Sequence, residues 1–83
     1  MAPLEKILSM TDADIQKWLR VIKEEDLLRG MAGTNHEVGK RILANMSERA
    51  GKVIQEYLER NKGLEKSEID ASLGELAKAL NSL

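Results

Sequence analysis

Four hydroxyl or amide side chains, Thr11, Asn35, Ser47 and Ser67, each stand just ahead of apolar residues that recur every three to four positions. Such a side chain closes the first turn of a helix by accepting a backbone N–H, so each of the four marks a helix start. Thr11 with Asp14, and Ser67 with Asp70, have the three-residue spacing of a capping box. Thr11 is followed by Ile15, Trp18, Leu19 and Ile22, in a helix expected to end near Lys23. Glu24, Glu25 and Asp26 then place acids where a helix dipole favours them, ahead of Leu27, Leu28 and Met31, and Gly33 punctuates this helix. Asn35 precedes Val38, Ile42, Leu43 and Met46. Ser47 precedes Ala50, Val53, Ile54, Tyr57 and Leu58, up to a stop at Asn61-Lys62-Gly63. Ile69, Leu73, Leu76, Ala77 and Leu80 supply the last apolar face. Pro3 suits the first turn of a short helix over residues 3–9. No stretch alternates apolar and polar residues with β-branched enrichment, so no strand is expected. The expected fold is all-α, a bundle of six short helices forming a single domain over residues 1–83.

This domain has no covalent staple. None of the 83 residues is cysteine, so the fold must rest on apolar packing and helix propensity, and thiol catalysis and thiolate metal sites are excluded. Hydrophobic residues make up 42%, too many for a disordered chain, and charged residues 33%, too many for a membrane span. Thirteen basic against fourteen acidic side chains leave a net charge of −1, which gives no global pull toward nucleic acid or anionic lipid. The first residues lack the apolar run of a secretory signal. The expected location is the cytoplasm, without insertion into a membrane.

Catalytic patterns fail on their chemistry. His36 is the single histidine, and a metal site needs further ligands at defined spacing. The run from Gly33 to Lys40 is one residue too long for a phosphate loop, and Arg41 stands where a serine or threonine is needed. The glycines in it read instead as a helix stop and as sites of close helix packing. No enzyme activity, cofactor or metal is expected. Residues 24–32, a glycine turn and residues 35–46 have the gross shape of a helix-turn-helix, with Lys40 and Arg41 on the second helix. Its exposed first turn, however, carries Glu37 rather than basic or amide side chains.

The helix over residues 47–61 carries the most informative surface. At about 100° per residue, Arg49, Lys52, Glu56, Glu59 and Arg60 fall on the arc opposite the apolar set. Glu48 with Lys52, Lys52 with Glu56, and Glu56 with Arg60 are opposite charges four residues apart. Such pairs add only about 0.2–0.5 kcal/mol each to a helix. One reading is a solvated face that pairs with itself. The other is a docking ridge whose mixed charges steer and register a protein partner.

Two segments carry a resemblance. Asp14-Ile15-Gln16-Lys17-Trp18-Leu19-Arg20 resembles an Asp-Ile-Gln-x-hydrophobic-Leu-Arg stretch, and Asn45-Met46-Ser47-Glu48-Arg49-Ala50 resembles an Asn-Met-Ser-x-Arg-Ala signature. Both occur, in this order and at similar separation, in the C-terminal domain of the flagellar motor switch family FliG, and the resemblance extends from about Leu4 to about Leu80. It implies a six-helical rotor domain, peripheral at the flagellar basal body. The fifth helix of such a domain meets the cytoplasmic loop of the stator protein MotA and transmits torque alongside other switch-complex proteins. Arg49 matches the arginine of the signature, and Glu56 matches the first of two adjacent family acids; Tyr57 replaces the second. Ala32 stands where the family has a basic residue, for which Arg29, one turn upstream, is a candidate substitute. Gly63-Leu64-Glu65-Lys66 replaces a Gly-Pro-Val-Arg stretch. The family's membrane-ring-binding and middle domains are not in these residues, which fits an excised segment or a stand-alone relative.

Two alternatives remain beside a stator-contacting domain. One is a small DNA-binding protein using residues 35–46. The other is a structural helical adaptor.

Overall fold

The computed structural model of the protein describes residues 4–83. A 3-10 helix, Glu5–Ser9, leads into five α-helices: α1 (Asp12–Val21), α2 (Glu24–Met31), α3 (His36–Ala44), α4 (Glu48–Arg60) and α5 (Lys66–Asn81). The first of the six expected helices is thus the 3-10 helix, and Pro3, read as its first turn, lies outside the described residues. The expected fifth helix is α4. All the regular elements among the described residues are helical.

Three of the four predicted caps form. The Thr11 hydroxyl accepts the Asp14 amide at 3.2 Å, the Asn35 side chain accepts the Val38 amide at 2.9 Å, and the Ser47 hydroxyl accepts the Ala50 amide at 3.1 Å. Each bond satisfies an N–H that the helix itself leaves without a partner. The fourth does not form. Helix α5 begins at Lys66 with Glu65 as its cap residue and no side-chain capping bond, so Ser67 lies inside the first turn. Helix α1 ends at Val21 rather than near Lys23. Helix α4 stops at Asn61 as expected, but no described glycine has positive φ. The stop therefore rests on Asn61, whose Nδ2 donates to the Tyr57 carbonyl at 2.8 Å.

Helix α2 is the central element. It lies along α5 and also packs on α4; α5 in turn touches α1, and α3 covers the 3-10 helix. Two glycines allow α2 and α5 their close approach. A Cβ on Gly30 would lie 2.5 Å from Leu76 Cδ1, and one on Gly33 would lie 2.6 Å from Ile69 Cγ2. Gly33, expected as punctuation, is thus a contact glycine as well. Ser72, buried on α5, donates to Asp26 of α2 at 3.2 Å.

The core contains Ile7, Ile15, Trp18, Val38, Ile42 and Leu76, all nearly inaccessible to solvent. Trp18 is wholly buried, and its indole N–H donates to the Leu76 carbonyl at 3.0 Å. An indole excluded from water needs such a partner, because an unbonded buried donor carries a desolvation penalty of about 1–3 kcal/mol. Leu4, ahead of the 3-10 helix, holds the left-handed conformation at φ 61° with its side chain buried. For a non-glycine residue this conformation costs roughly 1–2 kcal/mol, opposed here by the burial of a leucine.

A charged helix presented at the edge of the domain

Helix α4 meets the core along a narrow line. Of its expected apolar face only Ile54 is buried; Ala50, Tyr57 and Leu58 are half-buried, and Val53 is 45% exposed. The broad buried arc read from the sequence is therefore too wide. The helix sits at the margin of the domain, so residues more than about 90° from Ile54, Val53 among them, emerge into solvent.

Arg49, Lys52, Glu56, Glu59 and Arg60 are all exposed on this helix. The expected pairing among its charges is not formed. Among the described residues, ion pairs within 4.0 Å join Arg29 to Glu25, Arg41 to Asp12 and Lys78 to Glu75, and none involves an α4 side chain. Exposed pairs on one helix gain little over hydration and lose side-chain entropy on forming. The α4 charges are left available to an external partner.

A side-chain network just ahead of α4 was not read from the sequence. Arg41 Nη1 meets Asp12 Oδ1 at 2.7 Å, and Arg41 Nη2 donates to the Met10 carbonyl at 3.0 Å. Asn45 Nδ2 donates to Asp12 Oδ1 at 3.3 Å and to the Arg41 carbonyl at 3.1 Å, while Gln16 Nε2 donates to Asn45 Oδ1 at 3.3 Å. This network ties the end of α3 to the start of α1. Two residues further on, Ser47 opens α4. The glutamine of the first motif and the asparagine of the second thus touch each other, and their presence in two separate recognisable segments was the available signal.

Arg29 borders the cleft between α2 and α5, near Asp26, Glu68 and Glu75, with its guanidinium 3.5 Å from Glu25. Ala32 is exposed at the end of α2. On the α3 surface considered for DNA, Arg41 is engaged by Asp12 and Met10, leaving Lys40 as that helix's exposed cation. No group of three or more histidines or carboxylates converges as a metal site among the described residues. No helix among them is long and apolar enough to cross a membrane.

Comparison with known proteins agrees with this geometry. Among characterised relatives, the flagellar motor switch protein FliG of Aquifex aeolicus is 33% identical over 70 residues, covering 84% of this chain and 21% of its own length. FliG of Vibrio cholerae serotype O1 is 28% identical over 76 residues, covering 92% of this chain and 22% of its own. The chain thus spans about a fifth of the length of these relatives. No solved structure matches it significantly. The profile of the FliG C-terminal domain matches residues 1–83, the whole chain. With its helical fold and its Asn-Met-Ser-x-Arg-Ala junction, the chain belongs to the FliG C-terminal domain family.

Proposed function

We propose that this chain is a non-catalytic, cytoplasmic rotor domain of the flagellar motor, which contacts the cytoplasmic loop of the stator protein MotA through α4 and passes torque to the rotor. The observation that carries this reading is the state of α4. Its exposed charges of both signs have no ion-pair partner among the described residues, while the helix is held by the Ser47 cap and by Ile54 in the core. A helix anchored on one side and carrying unpaired charges on the other suits such a contact.

Arg49 and Glu56, seven residues apart, project from nearly one face about 10 Å apart along the axis. Each offers an opposite charge on the stator loop a defined register. Interactions of this kind contribute to encounter rate and register more than to affinity, which suits a contact that forms and breaks at each step. Membership in a family whose relatives are flagellar motor switch proteins supports the same reading.

The absence of cysteine makes the test clean. Single cysteines placed at Lys52 or Glu59 should form crosslinks to cysteines introduced into the MotA loop in cells carrying the complete motor. A cysteine at Gly74, an exposed position on α5, should not. Equal crosslinking from α4 and α5, or none from α4, would remove the stator contact from this helix.

A further inference from the structure

A groove of about 520 Å3 runs between α3 and α4, on the flank of α4 turned away from Arg49 and Glu56. Gln55 and Leu58, which line it, are rotated by about 100° or more around the helix from both of those residues. Its volume is in the range of about 300–1,000 Å3 found for ligand sites. It is open to solvent rather than enclosed, which suits a chain segment better than a small molecule.

The floor is apolar, built from Met31, Leu43 and Leu58. Met31 is nearly buried, so the accessible apolar surface is that of the two leucines, both half-buried. Gly39 also contributes to the floor. Unlike Gly30 and Gly33, it is not required by close helix packing: a Cβ there would make ordinary contacts, 3.4 Å from Thr34 Oγ1 and 3.6 Å from Met31 Cε. Glycine inside a helix is less favourable than alanine. Without a side chain at Gly39 the floor of the groove lies lower.

The rim is selective in charge. Lys40 and His36 are the ionisable side chains that line the groove, and no carboxylate does. In a chain of net charge −1 this is a local departure. Glu37 is exposed on α3 one turn before Lys40 and does not line the groove. Along the outer edge of α4, Lys52 and Glu59 offset one another.

We infer that this groove docks a short acidic amphipathic segment of a second protein. Its apolar side chains would seat on Leu43 and Leu58 above Met31, and its carboxylates would meet the Lys40 ammonium and a His36 N–H at the rim. Apolar anchors in a groove between helices, flanked by complementary charge, are an established mode of peptide recognition. The groove lies on the flank of α4 away from Arg49 and Glu56, with Lys52 and Glu59 at the border between the two surfaces.

The test uses the intact chain and an unbiased probe, a displayed library of random peptides of ~12 residues, about three helical turns. Selection should enrich sequences that combine large apolar residues with aspartate or glutamate. A synthetic peptide of the enriched sequence should shift the backbone amide resonances of Gly39, Lys40, Leu43 and Gln55. Lys40→Glu should weaken its binding by about tenfold or more, with weaker binding also at high salt. Gly39→Ala, which fills the floor and favours the helix, should weaken binding without lowering the unfolding midpoint, so a loss through misfolding is distinguished. Arg49→Glu should leave the affinity unchanged. Failure to enrich any peptide, enrichment of basic sequences, resonance shifts centred on Arg49 and Glu56, or full affinity in the Lys40→Glu variant would each overturn the inference.

Discussion

Ile54 and Val53 are neighbours in sequence with opposite fates, and truncating each in turn measures how α4 is anchored. Ile54 is 3% exposed and Val53 is 45% exposed. Ile54→Ala removes three buried carbons from the one fully buried side chain of α4 and should destabilise the domain by about 2–5 kcal/mol. Val53→Ala removes atoms already half in water, opens no cavity, and should change stability by no more than about 0.5 kcal/mol. A domain of this size has a total stability of roughly 4–12 kcal/mol, so the first change takes a large share of it. A loss of about 2.5 kcal/mol would lower the melting temperature by some 10–20 °C. Urea unfolding followed by the fluorescence of Trp18 is the natural assay. The indole is wholly buried in the native state, so its emission should move to the red on unfolding. Equal effects from the two substitutions, or a loss below about 0.5 kcal/mol for Ile54→Ala, would refute the placement of α4.

Three further substitutions test the packing and hydrogen bonding around the site. Gly33→Ala should cost about 1–3 kcal/mol, because its Cβ would fall 2.6 Å from Ile69 and 2.8 Å from Leu73. Gly63→Ala, with nothing within 4 Å of the added atom, should be neutral or stabilising by up to about 1 kcal/mol in the same urea titration. Asn45→Ala should remove the bonds to Asp12, Gln16 and the Arg41 carbonyl and lower stability by about 0.5–1.5 kcal/mol; hydrogen exchange should show faster opening at the first turn of α4.

The helices and most of their starts were legible in the sequence because capping is local. Thr11, Asn35 and Ser47 each reach a backbone N–H three residues on. Ser67 misled because the same spacing also fits a helix that has already begun. Ile69 and Leu73 stand against Gly33, which docks the first turns of α5 on α2, and Glu65 accepts the first amides through its backbone carbonyl. Val53 misled because helical spacing gives the direction of a side chain around its own axis but not how far neighbouring elements extend to cover it. The ion pairs expected along α4 failed for a related reason: spacing permits a pair, and solvation decides whether it forms. The network of Asp12, Gln16, Arg41 and Asn45 joins residues about thirty positions apart, beyond the reach of any local pattern. The charged residues of α4 could be found from periodicity, but their use could only be suggested by the family signature that contains Arg49.

The most direct test of the central claim is charge reversal with compensation, read as swimming speed in cells carrying the complete motor. Arg49→Glu and Glu56→Lys alter exposed side chains, so each should leave the fold within about 0.5 kcal/mol of the original while reducing motility. Reversing the facing charge on the MotA loop should restore motility in the paired variant, because the interaction depends on opposite sign across the contact. The account predicts loss in each single variant and recovery in the matched pair. Wild-type motility in both single variants would contradict it and leave α4 as a solvated face of a structural adaptor.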